Sequence, residues 1–327
     1  MKVSLNTAQY YSNVDLKSVG IEEVVRKIGA QLGEVEGIIN WGSRYDGVLV
    51  AKVVSCEKHP DADKLHVCRI DDGGKSESVE RGQDGLVQVV CGAPNVREGL
   101  VVAWLPPGST VPSTFNKDPF VLEVREIRGK VSNGMLASPA ELDISDNHDG
   151  ILEINADEVG EGLTRPGTPL KQLYGLDDII VEIENKMFTH RPDCFGILGV
   201  AREVAGIQGL AYKSPDWYLN GEKPKIIDNL PLEVKVEDSE FVPRFMAVAM
   251  SDIQVMPSPI WLQSLLAKVG IKPINNIVDL TNYYSLLTGQ PLHAYDYDKV
   301  AMLSDQMPII KARKAKKGEN IALLNGK

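Results

Sequence analysis

The sequence has few cysteines, no excess of positive charge and no long apolar run, and each shortage excludes a class of protein. Its four cysteines are scattered and form no disulfide framework, so we expect a reducing, cytoplasmic location. The net charge of −10 argues against a protein that coats nucleic acid through a general basic field, although local patches or a partner subunit remain compatible with RNA binding. No run of about 18 apolar residues predicts a membrane span. The N-terminus also lacks the apolar core of a signal peptide.

The length and composition indicate a soluble protein of several domains. A chain of 327 residues is long enough for two or three domains with substantial cores. The hydrophobic content of 43% and the charged content of 24% are both ordinary for a globular protein.

The most informative stretch is 275–298, NNIVDLTNYYSLLTGQPLHAYDYD, which places polar residues around an apolar helix. Val278 and Leu280, with the leucines that follow, supply apolar positions at helical spacing. Gly289 then ends the predicted helix, and Pro291 prevents it from restarting. The chain after this break is expected to turn back toward the helix.

This reversal would bring His293 toward Thr281 and Asn282 and create a small polar pocket. Each residue also has a simpler interpretation. Asn275, Asn276 and Thr281 are typical of residues that cap or turn the backbone. A single histidine after a proline is more often packed or solvated than catalytic, so spacing alone does not decide between the two.

Two segments of this stretch, NNIVDLTNY and GQPLHAYD, resemble the B3/B4 editing domain in the beta subunit of bacterial phenylalanyl-tRNA synthetase, with Tyr295 where phenylalanine is usual. The resemblance implies hydrolysis of tyrosine wrongly attached to the tRNA. We then expect His293 to position water or the terminal adenosine, and Thr281 and Asn282 to hold the carbonyl or the ammonium group. An acid that recognises the phenol is expected beyond Lys327. We expect no metal in this region.

Residues 41–151 predict a small closed β-barrel, because five short strands are separated by turn residues. The predicted strands are 47–55, 65–70, 86–90, 100–105 and 121–127. The segments KHPDADKL, VCGAPN and SNGML resemble the oligonucleotide-binding barrel of the tRNA-binding domain family, in which SEGML is usual at the last site. The expected cationic contacts to RNA are Lys52, Lys58, Lys64 and Arg69, and the candidates for base stacking are Trp104, Phe115 and Phe120.

A competing interpretation of this segment is a zinc site. Cys56, His59, His66 and Cys68 are ligand types for zinc, and a strand directs His66 and Cys68 to the same face. The spacing within the second pair is tighter than in usual zinc turns, which disfavours this alternative.

The barrel interrupts a small α/β domain made of residues 1–40 and 152–212. Residues 1–40 predict a strand, a helix at 19–32 and a second strand, which is too little to fold alone. The strand at 177–184 is expected to complete their sheet, and a helix is expected at 195–210. The segment HRPDCFGILGVAREVA, which holds His190 and Arg191, also resembles the beta subunit. Catalytic or RNA-contacting roles are open to both, but loop residues bonded to backbone, with Asp193 capping the helix, are favoured.

The remaining chain divides into a linker at 213–230 and a truncated B3/B4 editing domain at 231–327. Strands are predicted around 232–236 and at 243–251, 308–312 and 320–325, with a helix at 257–269. The basic run 311–317 is interpreted as a solvated strand end and turn. Asn325-Gly326 predicts a hairpin turn whose second strand is missing, which suggests an N-terminal fragment of a longer subunit.

The sequence therefore predicts an α+β multidomain protein, in which an oligonucleotide-binding barrel inserted in a small α/β domain precedes part of an editing domain. The resemblance implies a subunit that, with an alpha subunit in a heterotetramer of two alpha and two beta chains, charges tRNA(Phe) with phenylalanine. ATP and Mg²⁺ serve the holoenzyme, and no cofactor is expected in this region. The alternative is a non-catalytic module that binds tRNA or acts as a scaffold.

Overall fold

The computed structural model describes most of the chain and divides it into two units. The described residues are 1–77, 79–221, 230–304 and 307–322. The first unit is Met1–Pro215 with Met256–Leu292, and the second is Asp216–Val255 with His293–Lys327. No helix among the described residues has the length and apolarity needed to cross a membrane.

The regular elements of both units follow in chain order. The strands are β1 (Lys2–Ser4), β2 (Val35–Asn40), β3 (Leu49–His59), β4 (Ala62–Asp71), β5 (Val87–Cys91), β6 (Val101–Leu105), β7 (Val124–Ile127), β8 (Lys130–Asn133), β9 (Met135–Leu136), β10 (Ile179–Ile183), β11 (Glu233–Val236) and β12 (Ile309–Ala312). The helices are α1 (Leu5–Ser12), α2 (Leu16–Val19), α3 (Ile21–Gln31), α4 (Ala156–Val159), α5 (Ile197–Ile207), α6 (Asp216–Asn220), α7 (Ile260–Lys268), α8 (Asn276–Thr288) and α9 (Tyr297–Met302).

The two segments of the small α/β domain, 1–40 and 152–212, contribute strands to one antiparallel sheet with the order β1-β10-β2. The central strand β10 pairs Val181 with Val3 on one side and with Ile38 on the other. The prediction that the strand at 177–184 completes the N-terminal sheet is therefore confirmed. Apolar side chains of α1, α3 and α5 cover this sheet and form one core with it.

The middle of the chain forms a five-stranded antiparallel sheet with the order β5-β4-β3-β6-β9. All five predicted strands are present, with shifted ends: four are β3 to β6 of this sheet, and the fifth is β7, which pairs with β8 outside it. We find no closed barrel among the described residues. The hairpin β7-β8 instead approaches β5 through side chains. Ser132 Oγ accepts from Val90 N at 3.0 Å, and Asn133 Nδ2 donates to the Gln88 carbonyl at 3.1 Å. Side-chain hydrogen bonds thus join the β7-β8 hairpin to β5, where a closed barrel would have continuous backbone pairing.

Helices α7 and α8 confirm the two helices predicted at 257–269 and 275–289. An ion pair between Lys268 of α7 and Asp178, which precedes β10, ties them to the small sheet, and both side chains are at most 3% exposed. The Trp261 and Tyr283 rings meet edge to face, with centroids 5.5 Å apart. The two helices therefore pack within the first unit.

The second unit is built around β11 and β12, which run parallel, with Glu233 opposite Ile309. The predicted strand at 243–251 is wrong, because this segment pairs with no described strand and leaves Met246 72% exposed. An extended segment without a neighbour has no ladder in which to place its backbone hydrogen bonds. The segment interpreted as a linker contains α6, but residues 222–229 lie outside the described residues. The hairpin at Asn325-Gly326 and the end of the strand predicted at 320–325 lie outside them too.

Candidate functional site

Helix α8 is fixed at both ends by residues of the motif that defines it. The Asn275 side chain accepts hydrogen bonds from Ile277 N and Val278 N, at 3.1 and 3.0 Å, which caps the first turn. Gly289 adopts the left-handed conformation with φ 75°, and its N–H donates to the Ser285 carbonyl at 2.8 Å. This is the glycine end predicted from the sequence.

The chain after Gly289 does turn back along α8 as far as Leu292. Leu292 N donates to Ser285 Oγ at 3.3 Å, and Ser285 Oγ in turn donates to the Thr281 carbonyl at 2.9 Å. The Gly-Pro break thus produces the expected reversal over these residues. Thr281 and Asn282 belong to the first unit and His293 to the second, so their convergence stays a prediction.

The three predicted editing residues differ in how much their side chains are already used. Thr281 is half-buried, and its Oγ1 donates to the Val278 carbonyl at 2.7 Å. Asn282 is also half-buried, and its side chain makes no hydrogen bond to the described residues. His293 is exposed, with its ring centroid 6.4 Å from that of Tyr295.

Asp279 is a buried member of this motif whose role the sequence pattern does not reveal. Its carboxylate is 1% exposed and accepts from Ser258 Oγ at 2.6 Å and from Ile274 N at 2.8 Å. Asp279 therefore joins α8 to the segments on both sides of α7. A charged residue on the apolar side of a predicted helix was the available signal for such a role.

The two motifs that carry the resemblance to the beta subunit meet through their glycines. A Cβ atom on Gly196, at the start of α5, would lie 2.5 Å from Gly289 N and 2.6 Å from the Leu287 carbonyl oxygen. A side chain at Gly196 would therefore collide with the backbone at the end of α8. The end of α8, where the chain reverses, thus rests directly on the segment HRPDCFG.

The charged residues of HRPDCFG bind one another. Arg191 forms a bidentate pair with Asp193, at 3.1 and 3.0 Å, and reaches Glu203 at 2.5 Å, while Arg202 also pairs with Asp193. The hydrogen bond from Arg191 holds the pKa of Asp193 below its usual range. The prediction that Asp193 caps the helix is wrong, because α5 begins at Ile197 with Gly196 at its N-cap position and has no side-chain cap. The side chain of Arg191 likewise bonds carboxylates rather than backbone.

The predicted RNA-contacting cations lie on β3 and β4. Lys52, Lys58 and Lys64 are exposed and form no ion pair with the described residues. Arg69 is committed within the protein, since it pairs with Asp84 and donates to the Leu86 carbonyl at 3.1 Å. The three lysines are therefore the available cations of this predicted set.

Of the three predicted stacking residues, Phe120 is the most accessible. Its ring is 45% exposed, and the Arg125 guanidinium lies 5.6 Å from its centroid. Trp104 is fully buried and donates through Nε1 to the Asn133 carbonyl at 2.9 Å, so its proposed stacking role is wrong. Phe115 is half-buried.

The zinc alternative is not supported by the arrangement of its four residues. His59 Nδ1 accepts from Asp61 N, and its Nε2 lies 3.1 Å from the Ile127 carbonyl, so both ring nitrogens are used. Cys68 Sγ lies 3.6 Å from Cys56 Sγ, and burial raises the pKa of the Cys68 thiol. No three of these four side chains, all of which lie among the described residues, bring their ligand atoms within 4.8 Å of one another.

Among the described residues, one set of three side chains has a geometry suited to a metal ion: Asp193, Cys194 and Glu203. The Arg191 guanidinium bridges the two carboxylates of that set. Burial raises the pKa of Cys194 to about 11. The cation that neutralises this cluster is therefore an arginine.

Two known domain families match separate parts of the chain. Residues 48–162, which contain β3 to β9, match the family described as a putative tRNA binding domain. Residues 242–327, which contain α7, α8 and α9, match the B3/4 domain. The chain is thus of the class that combines a tRNA-binding domain with a B3/4 domain.

Curated relatives align with nearly all of the chain. It is 38% identical over 303 residues to the phenylalanine--tRNA ligase beta subunit of Desulfotalea psychrophila, covering 92% of this chain and 33% of that protein. The beta subunits of Nitrobacter winogradskyi and Rhodopseudomonas palustris are 36% and 37% identical over 100% of the chain, which covers 37% of each. The chain belongs to the family of phenylalanine--tRNA ligase beta subunits and spans about a third of the length of these relatives.

A solved RNA ligase mutant from Naegleria gruberi is also similar to part of the chain. It is 12% identical, with a TM-score of 0.24, and the match covers 42% of this chain and 35% of that one. A similarity of this size supports no conclusion about fold or function.

Proposed function

We propose that this chain is part of a beta subunit of phenylalanine--tRNA ligase, and that it contributes tRNA binding and hydrolysis of Tyr-tRNA(Phe). The observation that carries the proposal is an identity of 36–38% to such beta subunits across 92–100% of the chain. The holoenzyme would charge tRNA(Phe) with phenylalanine in the cytoplasm, with two alpha and two beta subunits. This part alone would not aminoacylate.

ATP and Mg²⁺ would act in the holoenzyme rather than on the described residues of this chain. The one described set with metal-ligand geometry, which includes Asp193 and Glu203, is already neutralised by Arg191. These residues do not fit Mg²⁺, which prefers several oxygen ligands and retained waters. The resemblance to the beta subunit, rather than this absence, is the reason to place activation of phenylalanine on the alpha subunit.

For tRNA binding, we propose that the five-stranded sheet and the β7-β8 hairpin act together as an oligonucleotide-binding barrel. The side-chain hydrogen bonds from Ser132 and Asn133 to β5 would hold the hairpin against the sheet edge. Lys52, Lys58 and Lys64 would contact phosphates, and Phe120 would stack on a base. Because these cations are few and exposed, their contribution would be modest and sensitive to salt.

An editing site is useful to this enzyme because phenylalanine and tyrosine differ by one hydroxyl group. A pocket that fits phenylalanine cannot strongly reject a ring that carries an added hydroxyl. A second site that hydrogen-bonds the phenol would prefer tyrosine, since phenylalanine would leave its polar groups unpaired. Hydrolysis at that second site removes the error after it is made.

In the proposed reaction, water attacks the ester carbonyl, the bond to the ribose oxygen breaks, and free tyrosine and tRNA with a ribose hydroxyl result. This requires a positioned water, a polarised carbonyl and a proton for the leaving oxygen. His293 would position the water or the terminal adenosine, and its exposure leaves its ring accessible to a substrate.

The hydrogen bonding of the Thr281 and Asn282 side chains indicates which part of the substrate each would bind. The Thr281 hydroxyl already donates a hydrogen bond to the Val278 carbonyl, so its oxygen is left to accept a hydrogen bond from the ammonium group of the amino acid. The Asn282 amide retains donors that suit the ester carbonyl. We therefore assign the ammonium group to Thr281 and the carbonyl to Asn282.

The test is release of tyrosine from Tyr-tRNA(Phe) by the complete enzyme. Replacing His293 with alanine should slow the release by at least about tenfold, as loss of a positioned acid–base group does. His148→Ala, which removes another exposed histidine, should leave the rate unchanged. Equal rates for the H293A variant and the unmodified enzyme would contradict the assignment of His293.

The alternative is that this part of the subunit binds tRNA or supports the assembly without hydrolysing anything. The same assay separates the two functions when it is run with this chain alone and with the complete beta subunit. Binding of Tyr-tRNA(Phe) without free tyrosine in either sample would favour the scaffold.

A further inference from the structure

Three of the four cysteines contribute to one core in the tRNA-binding region, and two of them are in contact. Cys56 of β3 is paired directly opposite Cys68 of β4, and their sulfur atoms are 3.6 Å apart. The sulfur of Cys91, on β5, accepts a hydrogen bond from Ala93 N at 3.5 Å. The proposed function uses none of these thiols.

The backbone at the Cys56–Cys68 pair suits a disulfide. Residues directly opposite each other in an antiparallel pair have Cα atoms about 4.5–5.5 Å apart. Disulfides span Cα separations of about 4.4–6.8 Å, so the strands need not move apart or together. The sulfur atoms would approach from 3.6 Å to the bond length of about 2.05 Å, a movement that side-chain torsions can supply.

The two thiols differ in their access to solvent. Cys56 is half-buried, whereas Cys68 is 0% exposed. The Cys68 thiol donates a hydrogen bond to Cys56 Sγ, and Cys56 Sγ donates to the Val96 carbonyl at 3.8 Å. A small oxidant therefore reaches Cys56 first, and the Cys68 sulfur lies beside the atom that it oxidises.

The reactivity of the two thiols follows the same order. Burial raises the pKa of the Cys68 thiol, and the neighbouring Cys56 raises it further. A protonated thiol is a weaker nucleophile than a thiolate, so Cys68 is not the first to react. The contact between the sulfur atoms compensates for this weakness, because a reactant held in place acts at a high effective concentration. Cys56 is thus suited to be oxidised, and Cys68 to resolve the product.

We propose that Cys56 and Cys68 form a reversible disulfide when the protein is exposed to hydrogen peroxide. In the first step the O–O bond breaks, one oxygen is transferred to the Cys56 sulfur as a sulfenic acid, and the other leaves as water. In the second step the Cys68 sulfur attacks the Cys56 sulfur. The S–S bond forms, the S–O bond breaks, and the hydroxyl group leaves with the Cys68 proton as a second water. The thiols lose two electrons in total, which the peroxide gains, and a thiol reductant reverses the bridge.

The bridge would join the two strands of the β3-β4 hairpin close to its turn. Lys58 and Lys64 lie between the two cysteines, so the bridge would restrain the segment that carries both lysines. Disulfides in a reducing compartment are usually transient and respond to oxidants, which agrees with a reversible bridge. The proposal does not rest on the proposed function.

The test is a peptide map of the full chain after oxidation in the folded state. The reduced protein is treated with hydrogen peroxide, its remaining thiols are blocked with N-ethylmaleimide, and it is digested with trypsin without reductant. Trypsin cuts after Lys58 and Lys64, so peptides 53–58 and 65–69 stay joined only through the bridge. We expect this joined pair, lighter by two hydrogen atoms than the separate peptides, and we expect dithiothreitol to separate it.

Two variants check the roles of the thiols. Cys68→Ala should abolish the joined pair and leave Cys56 as a sulfenic acid, so that labelling of Cys56 by dimedone increases several-fold. Cys194→Ala removes a buried thiol from the core of the small sheet and should leave the yield of the joined pair unchanged.

Three results would overturn the proposal. The first is peptide 53–58 joined to peptide 82–97, which contains Cys91, or to a second copy of itself. The second is Cys56 oxidised to the sulfinic or sulfonic acid while Cys68 stays free, and the third is no oxidation of either thiol. The map is read on the unmodified protein, so a folding defect in a variant does not decide the result. The readout is a disulfide rather than released tyrosine, which keeps failure of this proposal distinct from failure of the proposed function.

Discussion

The buried ion pair between Lys268 and Asp178 gives the sharpest stability prediction. Lys268 Nζ donates to Asp178 Oδ2 at 2.7 Å and to the Gly175 carbonyl at 2.8 Å, and the two side chains are 3% and 0% exposed. Replacing Lys268 with methionine keeps most of the apolar stem but removes the charge. The Asp178 carboxylate would then stay buried without its cation.

The expected loss is large because Asp178 cannot reach water. It would retain neutral donors, Ser4 Oγ at 2.6 Å and the N–H groups of Asn6 and Ile179 at 3.1 and 2.8 Å. Removing one partner of a buried pair costs about 3–5 kcal/mol. That is a substantial part of the roughly 5–15 kcal/mol that stabilises a typical domain. Helix α7 would lose its charged attachment to the small sheet.

Urea unfolding followed by tryptophan fluorescence measures this loss. Lys272→Met is the matched control, because Lys272 is 68% exposed and pairs at the surface with Asp146, and it should cost less than about 1 kcal/mol. Combining Lys268→Met with Asp178→Asn should destabilise less than the sum of the single changes. If K268M unfolded at the same urea concentration as K272M, the reasoning from burial would be refuted.

Three other predictions address the packing, the charge cluster and the RNA-binding face. Gly196→Ala should destabilise the first unit by about 1–3 kcal/mol, since its Cβ would collide with the end of α8. Gly206→Ala, on the same helix with nothing within 4 Å, should be neutral or stabilising in thermal melts. The depressed pKa of Asp193 means that its ionised form stabilises the fold above its unfolded pKa of about 3.9. The stability gap between the unmodified chain and D193N should therefore shrink as the pH falls below about 4, and a constant gap across pH titrations would contradict the pairing. Lys58→Gln should weaken tRNA binding and reduce its salt slope by about one unit, whereas Arg69→Gln, which loses an internal pair, should alter stability more than affinity in filter-binding and melting assays.

The elements that the sequence predicted well are those whose boundaries are set locally. Asn275 caps α8 and Gly289 ends it, and both residues lie in the motif itself. The strand at 243–251 failed because a strand depends on a partner from elsewhere in the chain, which periodicity does not reveal. Helix α1 was missed for a related reason. Ser4 caps it locally, but the same hydroxyl also bonds Asp178, which is 174 residues away.

The site residues follow the same division. Trp104 lies in a correctly predicted strand, yet the alternation of a strand does not say which face is covered, and its ring is buried. Arg69 is typical of an RNA contact by type, but Asp84 occupies it from a loop 15 residues away. Residue type thus identified candidates, whereas the pairing of charges in three dimensions decided which of them are available.

The same distinction sorts the polar residues of NNIVDLTNY, which the sequence presents as one group. Asn275 caps the helix, Asp279 is buried against Ser258, and the Thr281 hydroxyl donates a hydrogen bond to the backbone. Asn282 makes no side-chain hydrogen bond to the described residues and is half-buried on the same helix. Most of the motif's polarity is therefore used to build α8 and hold it in place. A binding residue must keep its hydrogen-bond donors for a ligand. Changing Asn282 to alanine should therefore mainly slow tyrosine release, whereas changing Asp279 to alanine should mainly lower the free energy of unfolding.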